Sequence, residues 1–100
     1  MASTVEISEI KVDGKIAMGI KVEMPDAPPL ILARGSKGVV FCGYLNAEAA
    51  EKLNLAAAIA RGVATIDELL GRQISYCTKK GEALGIKIGM SGMEALRLLV

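Results

Sequence analysis

The chain has 100 residues, twelve basic and eleven acidic, for a net charge of +1; 52% are hydrophobic, two are tyrosine, one is phenylalanine and none is histidine. That balance argues against a polyanion partner, since nucleic-acid binders carry a basic face and three aromatics make no stacking platform. Without histidine there is no Ser-His-Asp or Cys-His catalysis, no imidazole acid or base near neutral pH, and no His-ligated metal.

Val5 to Val12 shows imperfect apolar alternation, and Asp13-Gly14 follows as a hairpin signal. Ile16 to Met24 alternates strictly, with Ile16, Met18, Ile20, Val22 and Met24 on one face and Ala17, Gly19, Lys21 and Glu23 on the other. The two segments are expected to pair antiparallel. Pro25-Asp26-Ala27-Pro28-Pro29 reads as a loop, because proline donates nothing to a ladder, and Leu30 to Ala33 as a third short strand. Arg34 to Gly38 supplies polar tips and two glycines for the next turn. A solvated hairpin is the plain reading of that basic loop, with an anion site as its alternative.

Gly38 to Asn46, GVVFCGYLN, is uncharged and rich in β-branched and aromatic residues. A strand apolar on both faces must be covered on both, which places this one at the centre of the sheet, with Asn46 capping the helix that follows. Ala49, Ala50 and Leu53 form the expected apolar stripe of that helix. Beyond it two readings compete: the alanines from Ala56 to Ala60 extend the helix, or Asn54 ends it in a left-handed turn and Ala57 to Ala64 is a buried strand. The second is preferred because it gives a strand-helix-strand crossover with parallel strands.

Thr65 to Glu68 fits a capping box for a short helix stopped by Gly71. Ile74, Cys77, Gly81 and Leu84 fall on one face of a further helix closed by Gly85, with Ile86 as its apolar contact. Ser91 and Glu94 form a second box before a last helix that turns Ala95, Leu98 and Leu99 inward. The expectation is therefore a single α/β domain of the α+β type over residues 1–100. Its mixed five-stranded sheet has N-terminal antiparallel strands, one crossover and C-terminal helices packed mainly on one face. The apolar excess of so small a chain points to a homo-oligomer, with a partner subunit on any face left open.

No apolar stretch approaches the roughly 20 residues of a membrane span, and MASTVEISEI lacks the basic and apolar segments of a signal peptide. Two cysteines, Cys42 and Cys77, suit a reducing compartment as free thiols, so the expected address is the cytoplasm. They are too few for a structural zinc site, and no acidic loop has calcium or magnesium spacing; no metal is expected and no cofactor is indicated.

Three stretches, FCGYLN at Phe41 to Asn46, GVATIDELL at Gly62 to Leu70 and ALGIKIGMSGMEAL at Ala83 to Leu96, together resemble the YunC-like family of small bacterial and archaeal proteins. The resemblance implies a compact α/β domain of unknown function and supplies no catalytic residues, substrate or cofactor.

Candidate sites therefore come from the residues themselves. Cys42, just upstream of a helix start, is a candidate nucleophile, with a small core side chain as the alternative. Gly89, Ser91 and Gly92 precede another helix start and are candidates for holding a small anionic ligand, with simple capping as the alternative. Asn46 and Arg61 complete the candidate ligand residues; an arginine in a mostly apolar strand needs a carboxylate or a bound anion. Asp67 and Glu68, adjacent on a helix, point apart and are read as partners of the helix dipole. Two functions follow: an oligomeric binding or interaction domain, or a small enzyme that uses Cys42.

Overall fold

A computed structural model describes residues 4–100; residues 1–3, which open the stretch read above for a targeting signal, lie outside it. The order of elements is β1 (Val5–Val12), β2 (Lys15–Met24), β3 (Ala27–Arg34), β4 (Val39–Phe41), α1 (Ala47–Lys52), β5 (Ala57–Ile59), α2 (Ile66–Gly71), β6 (Tyr76–Cys77), α3 (Lys79–Ala83) and α4 (Gly92–Arg97). The strands form one mixed sheet in sequence order, antiparallel throughout except for the parallel pair β4 and β5. The α+β architecture and the crossover are as the sequence predicts, but the sheet has six strands, not five. None of the described helices is long and apolar enough to cross a membrane.

The first hairpin turns through Asp13 and Gly14, both at positive φ, the twist a two-residue loop needs. β3 starts earlier than expected and takes in Pro28 and Pro29. Both prolines escape the ladder: the β2–β3 register shifts between Val22 and Met24, opposite Pro28, and β4 has ended beside Pro29. β4 is short, yet it lies inside the sheet with Val39 and Val40 buried, as its uncharged sequence requires.

The helix-strand ambiguity resolves as a strand, three residues long. Asn54 sits at positive φ, its N–H donates to Glu51, and the N–H of Leu55 reaches back to Ala50, so α1 closes in a Schellman turn. That turn also corrects the expected stripe. The helix has under two turns, Ala49 and Leu53 are exposed (Leu53 77%), and Ala50 with Leu55 makes the inward contact instead.

The helix predicted over Ile74 to Leu84 is broken. Its first part forms β6 against β5, and α3 starts only at Lys79, because Thr78 acts as a new N-cap. The hydroxyl of Thr78 accepts from the N–H groups of Ala57 (3.0 Å) and Gly81 (3.1 Å) and donates to the carbonyl of Leu55 (2.7 Å). One donor and two acceptors are all that a hydroxyl has, so this buried group is fully used. Gly85 and Ile86 then close α3 as a second Schellman turn, as expected.

The core lies between one face of the sheet and helices α2 and α4. Ile10, Val12, Ala17, Ile31, Ala33, Val40 and Ala58 face Leu69, Leu96 and Leu99 there, all buried. In β2 this is the face of small residues: a Cβ on Gly19 would stand 3.0 Å from Cδ1 of Ile66. The opposite face is divided. Toward β5 and β6 it is closed by α1 and α3, where Val39, Ala57 and Ile59 are buried, Tyr76 bonds to Glu51 and Gly81 packs on the carbonyl of Ala57. Over β1, β2 and β3 no described residue covers it; Ile7 is 64% exposed, Ile16 61% and Met18 43%.

Candidate functional site

A groove of about 350 Å³ opens where the parallel strands β4 and β5 end. This is the end of a parallel pair at which α/β folds place ligands. Its walls are Pro28, Pro29, Cys42, Gly43, Tyr44, Gly62 and Val63, so it is chiefly apolar. Tyr44 is held over β3 by donating its hydroxyl to the carbonyl of Pro28. Gly62 turns at positive φ, and its carbonyl accepts from Nη2 of Arg72 at 3.0 Å.

Cys42 lies in the groove wall but is only 2% exposed. Its N–H donates to the carbonyl of Ile31 at 2.9 Å, and its Sγ accepts from the N–H of Ile31 at 3.3 Å, which ties the residue to β3 on both sides. Arg61 lies beyond the end of β5 and is exposed, which corrects the expectation that it sits within an apolar strand. Its side chain runs along Gly43: a Cβ there would be 3.8 Å from both Cγ and Nη1 of Arg61. The groove therefore brings together two of the candidate residues, a thiol in the wall and a guanidinium beside it.

The other candidates stand elsewhere and are occupied. The Asn46 side chain accepts from the N–H of Ala49 and caps α1, as predicted. Around Ser91 the amides of the candidate residues already have protein acceptors. Gly89 donates to Ile74, Gly92 to Arg72, Ser91 to the Glu94 carboxylate, Glu94 to the Ser91 hydroxyl and Ala95 to the Ser91 carbonyl. Capping, the alternative held open above, accounts for this loop. Gly92 is needed for close approach, since a Cβ there would stand 2.1 Å from the carbonyl oxygen of Leu69. Among the described residues no three metal-ligating side chains converge.

Sequence reasoning missed one polar cluster. Glu51 of α1 accepts from the hydroxyl of Tyr76 (2.6 Å) and from the N–H of Lys79 (3.1 Å). These bonds hold the Glu51 carboxyl below its usual range, and the bond to Glu51 pushes the Tyr76 phenol above its own. Burial, then Glu82 and Glu51, pushes the neighbouring Cys77 thiol up. By linkage, the Glu51 contribution is complete above the ordinary carboxylate range and is lost as pH falls through the lowered value. The Tyr76 contribution is complete below the ordinary phenol range and is lost as pH rises through the raised one. The cluster fixes α1 to β6 and α3.

Residues 41–99 match the family described as Domain of unknown function (DUF1805). The chain is 34% identical over 96 residues to the Uncharacterized protein YunC of Bacillus subtilis (strain 168), covering 92% of this chain and 94% of that protein. Its fold is similar to the crystal structure of TA1206, a protein of unknown function from Thermoplasma acidophilum. The TM-score is 0.90 at 29% sequence identity, over 96% of this chain and 93% of the other. Matched over more than half of its length by the family and over nearly all of it by YunC, the chain belongs to the DUF1805 family.

Proposed function

We propose that the protein is a cytoplasmic, self-associating binding domain, in which two copies pair through the uncovered apolar face of β1, β2 and β3. One observation carries this reading. The strictly alternating strand β2 turns its large apolar residues, Ile16, Met18, Ile20 and Val22, away from the core and its small ones toward it. Water gains nothing from such a face, and burying it against a like face recovers roughly 25 cal/mol for each Å² of apolar surface covered. The face also carries Glu9 and Lys11 on its β1 side and Arg34 on its β3 side, so a second copy can set a base against its acid as well as apolar surface against its apolar surface. Two free thiols, Cys42 and Cys77, fit a reducing compartment.

Replacing Ile7 by lysine tests the reading. Ile7 is 64% exposed in the single chain, so the substitution leaves folding stability within about 0.5 kcal/mol. In the pair it sets a charge into an apolar interface, and sedimentation should show the variant as monomer at concentrations where the parent chain is dimeric. An unchanged mass for the variant would remove this face from the interface.

A second reading, a small enzyme with Cys42 as nucleophile, has one observation behind it: the thiol lies in the wall of a groove that Arg61 flanks, a cation suited to a small anionic ligand. Alkylation separates the two readings. In a Cys77→Ser variant, a binding domain should show Cys42 modified only on unfolding, because of its burial. Rapid modification of the folded chain would favour the enzyme.

A further inference from the structure

Three residues lie side by side across the open face. Glu9 of β1 pairs with Met18 of β2, and Met18 pairs with Arg34 of β3, so one row reads acid, apolar, base. Glu9 and Arg34 are exposed, and neither belongs to the ion pairs within the described chain, which join Lys21 to Glu23, Lys52 to Glu48 and Arg97 to Asp13. The next row, Ile7, Ile20 and Leu32, is apolar throughout.

We infer that the two copies are related by a two-fold axis that runs along β2 and passes through Met18, so that Glu9 of each copy meets Arg34 of the other. This inference rests on the pairing proposed above. Sheets stacked face to face lie about 10 Å apart, and a two-fold between them must lie in the plane of the interface. An axis along β2 exchanges the β1 and β3 sides. It sets Met18 on Met18, Ile7 on Leu32 of the second copy, and two acid-base pairs on either side. An axis across the strands, along the row itself, sets Glu9 on Glu9 and Arg34 on Arg34. Like charges brought together in a partly dried interface disfavour it; Lys11, two residues from Glu9 on the same face, is a second base, but only arginine meets a carboxylate through two parallel hydrogen bonds, which favours the first arrangement. Pairing through the free edge of β1 is opposed by its polar residues Glu6, Ser8, Glu9 and Lys11.

Charge reversal of the full chain, followed by sedimentation equilibrium, tests the axis. Glu9→Arg alone and Arg34→Glu alone each place like charges at both contacts, and each should weaken self-association at least about tenfold. An equimolar mixture of the two variants restores opposite charges at both contacts and should associate as the parent does. So should the double variant. Far-UV circular dichroism confirms that each variant is folded. Single variants that associate like the parent would overturn the axis, and so would a mixture that fails to recover. In either case the paired face itself stands if Ile7→Lys still dissociates, whereas a parent chain that is monomeric throughout removes both proposals.

Discussion

Replacing Thr78 by valine should lower the free energy of unfolding by about 2–4 kcal/mol, measured by urea titration at a fixed protein concentration. Valine has nearly the volume of threonine, so no cavity is made and the loss is that of the hydroxyl. Two buried N–H groups, of Ala57 and Gly81, and the carbonyl of Leu55 would lose their partner together. A stranded buried polar group costs about 1–3 kcal/mol, and an N-cap is worth about 1. Thr78→Ser keeps the oxygen and should cost roughly 1 kcal/mol, for the methyl group. Equal losses for valine and serine would show that packing, and not the hydroxyl, holds β5, β6 and α3 together.

Gly92→Ala should destabilise the fold by about 2 kcal/mol or more, against the direction that helix propensity alone predicts. At the start of α4 alanine would be preferred to glycine by nearly 1 kcal/mol if nothing stood close. Here the added Cβ would stand 2.1 Å from the carbonyl oxygen of Leu69 and 3.1 Å from Cα of Leu70, and both neighbours are backbone. α2 and α4 would have to separate, opening the buried contact of Leu69 with Leu96 beneath them. Gly71, with nothing within 4 Å of its Cβ position, is the control. Gly71→Ala should be neutral or mildly stabilising, and a stabilised Gly92→Ala would contradict the close approach of the two helices.

The sequence was most informative where one local rule decides an element. Asn46, Thr65 and Ser91 cap helices as expected, and Asn54 and Gly85 end them in left-handed turns. Each is settled by groups within a few residues of it. The breakdown at Ile74 to Leu84 has the opposite cause. Its apolar spacing fits a helix, but Tyr76 and Cys77 pair with β5 and the Thr78 hydroxyl serves atoms more than 20 residues away. No periodicity encodes such partners.

The same limit governs the two sites. Strict alternation in β2 assigned Ile16, Met18 and Ile20 to one face, yet hydrophobicity would have turned that face inward; the helices chose the face of Ala17 and Gly19, where close packing is possible. In the groove, Cys42 was legible from its place after an uncharged strand. Pro28, Tyr44 and Val63 come from three separate segments that only the folded chain assembles. The glycines around Ser91 were visible, but whether their amides were free depended on Arg72 and Ile74, which the motif does not contain.

Sedimentation equilibrium of the unaltered chain across the micromolar range addresses the self-associating face most directly. A mass of twice the 10.5 kDa chain, falling toward a single chain on dilution, is the predicted result. A mass of 10.5 kDa at every concentration would contradict it, leaving the isoleucine face of β2 in water and the proposed function without its interface.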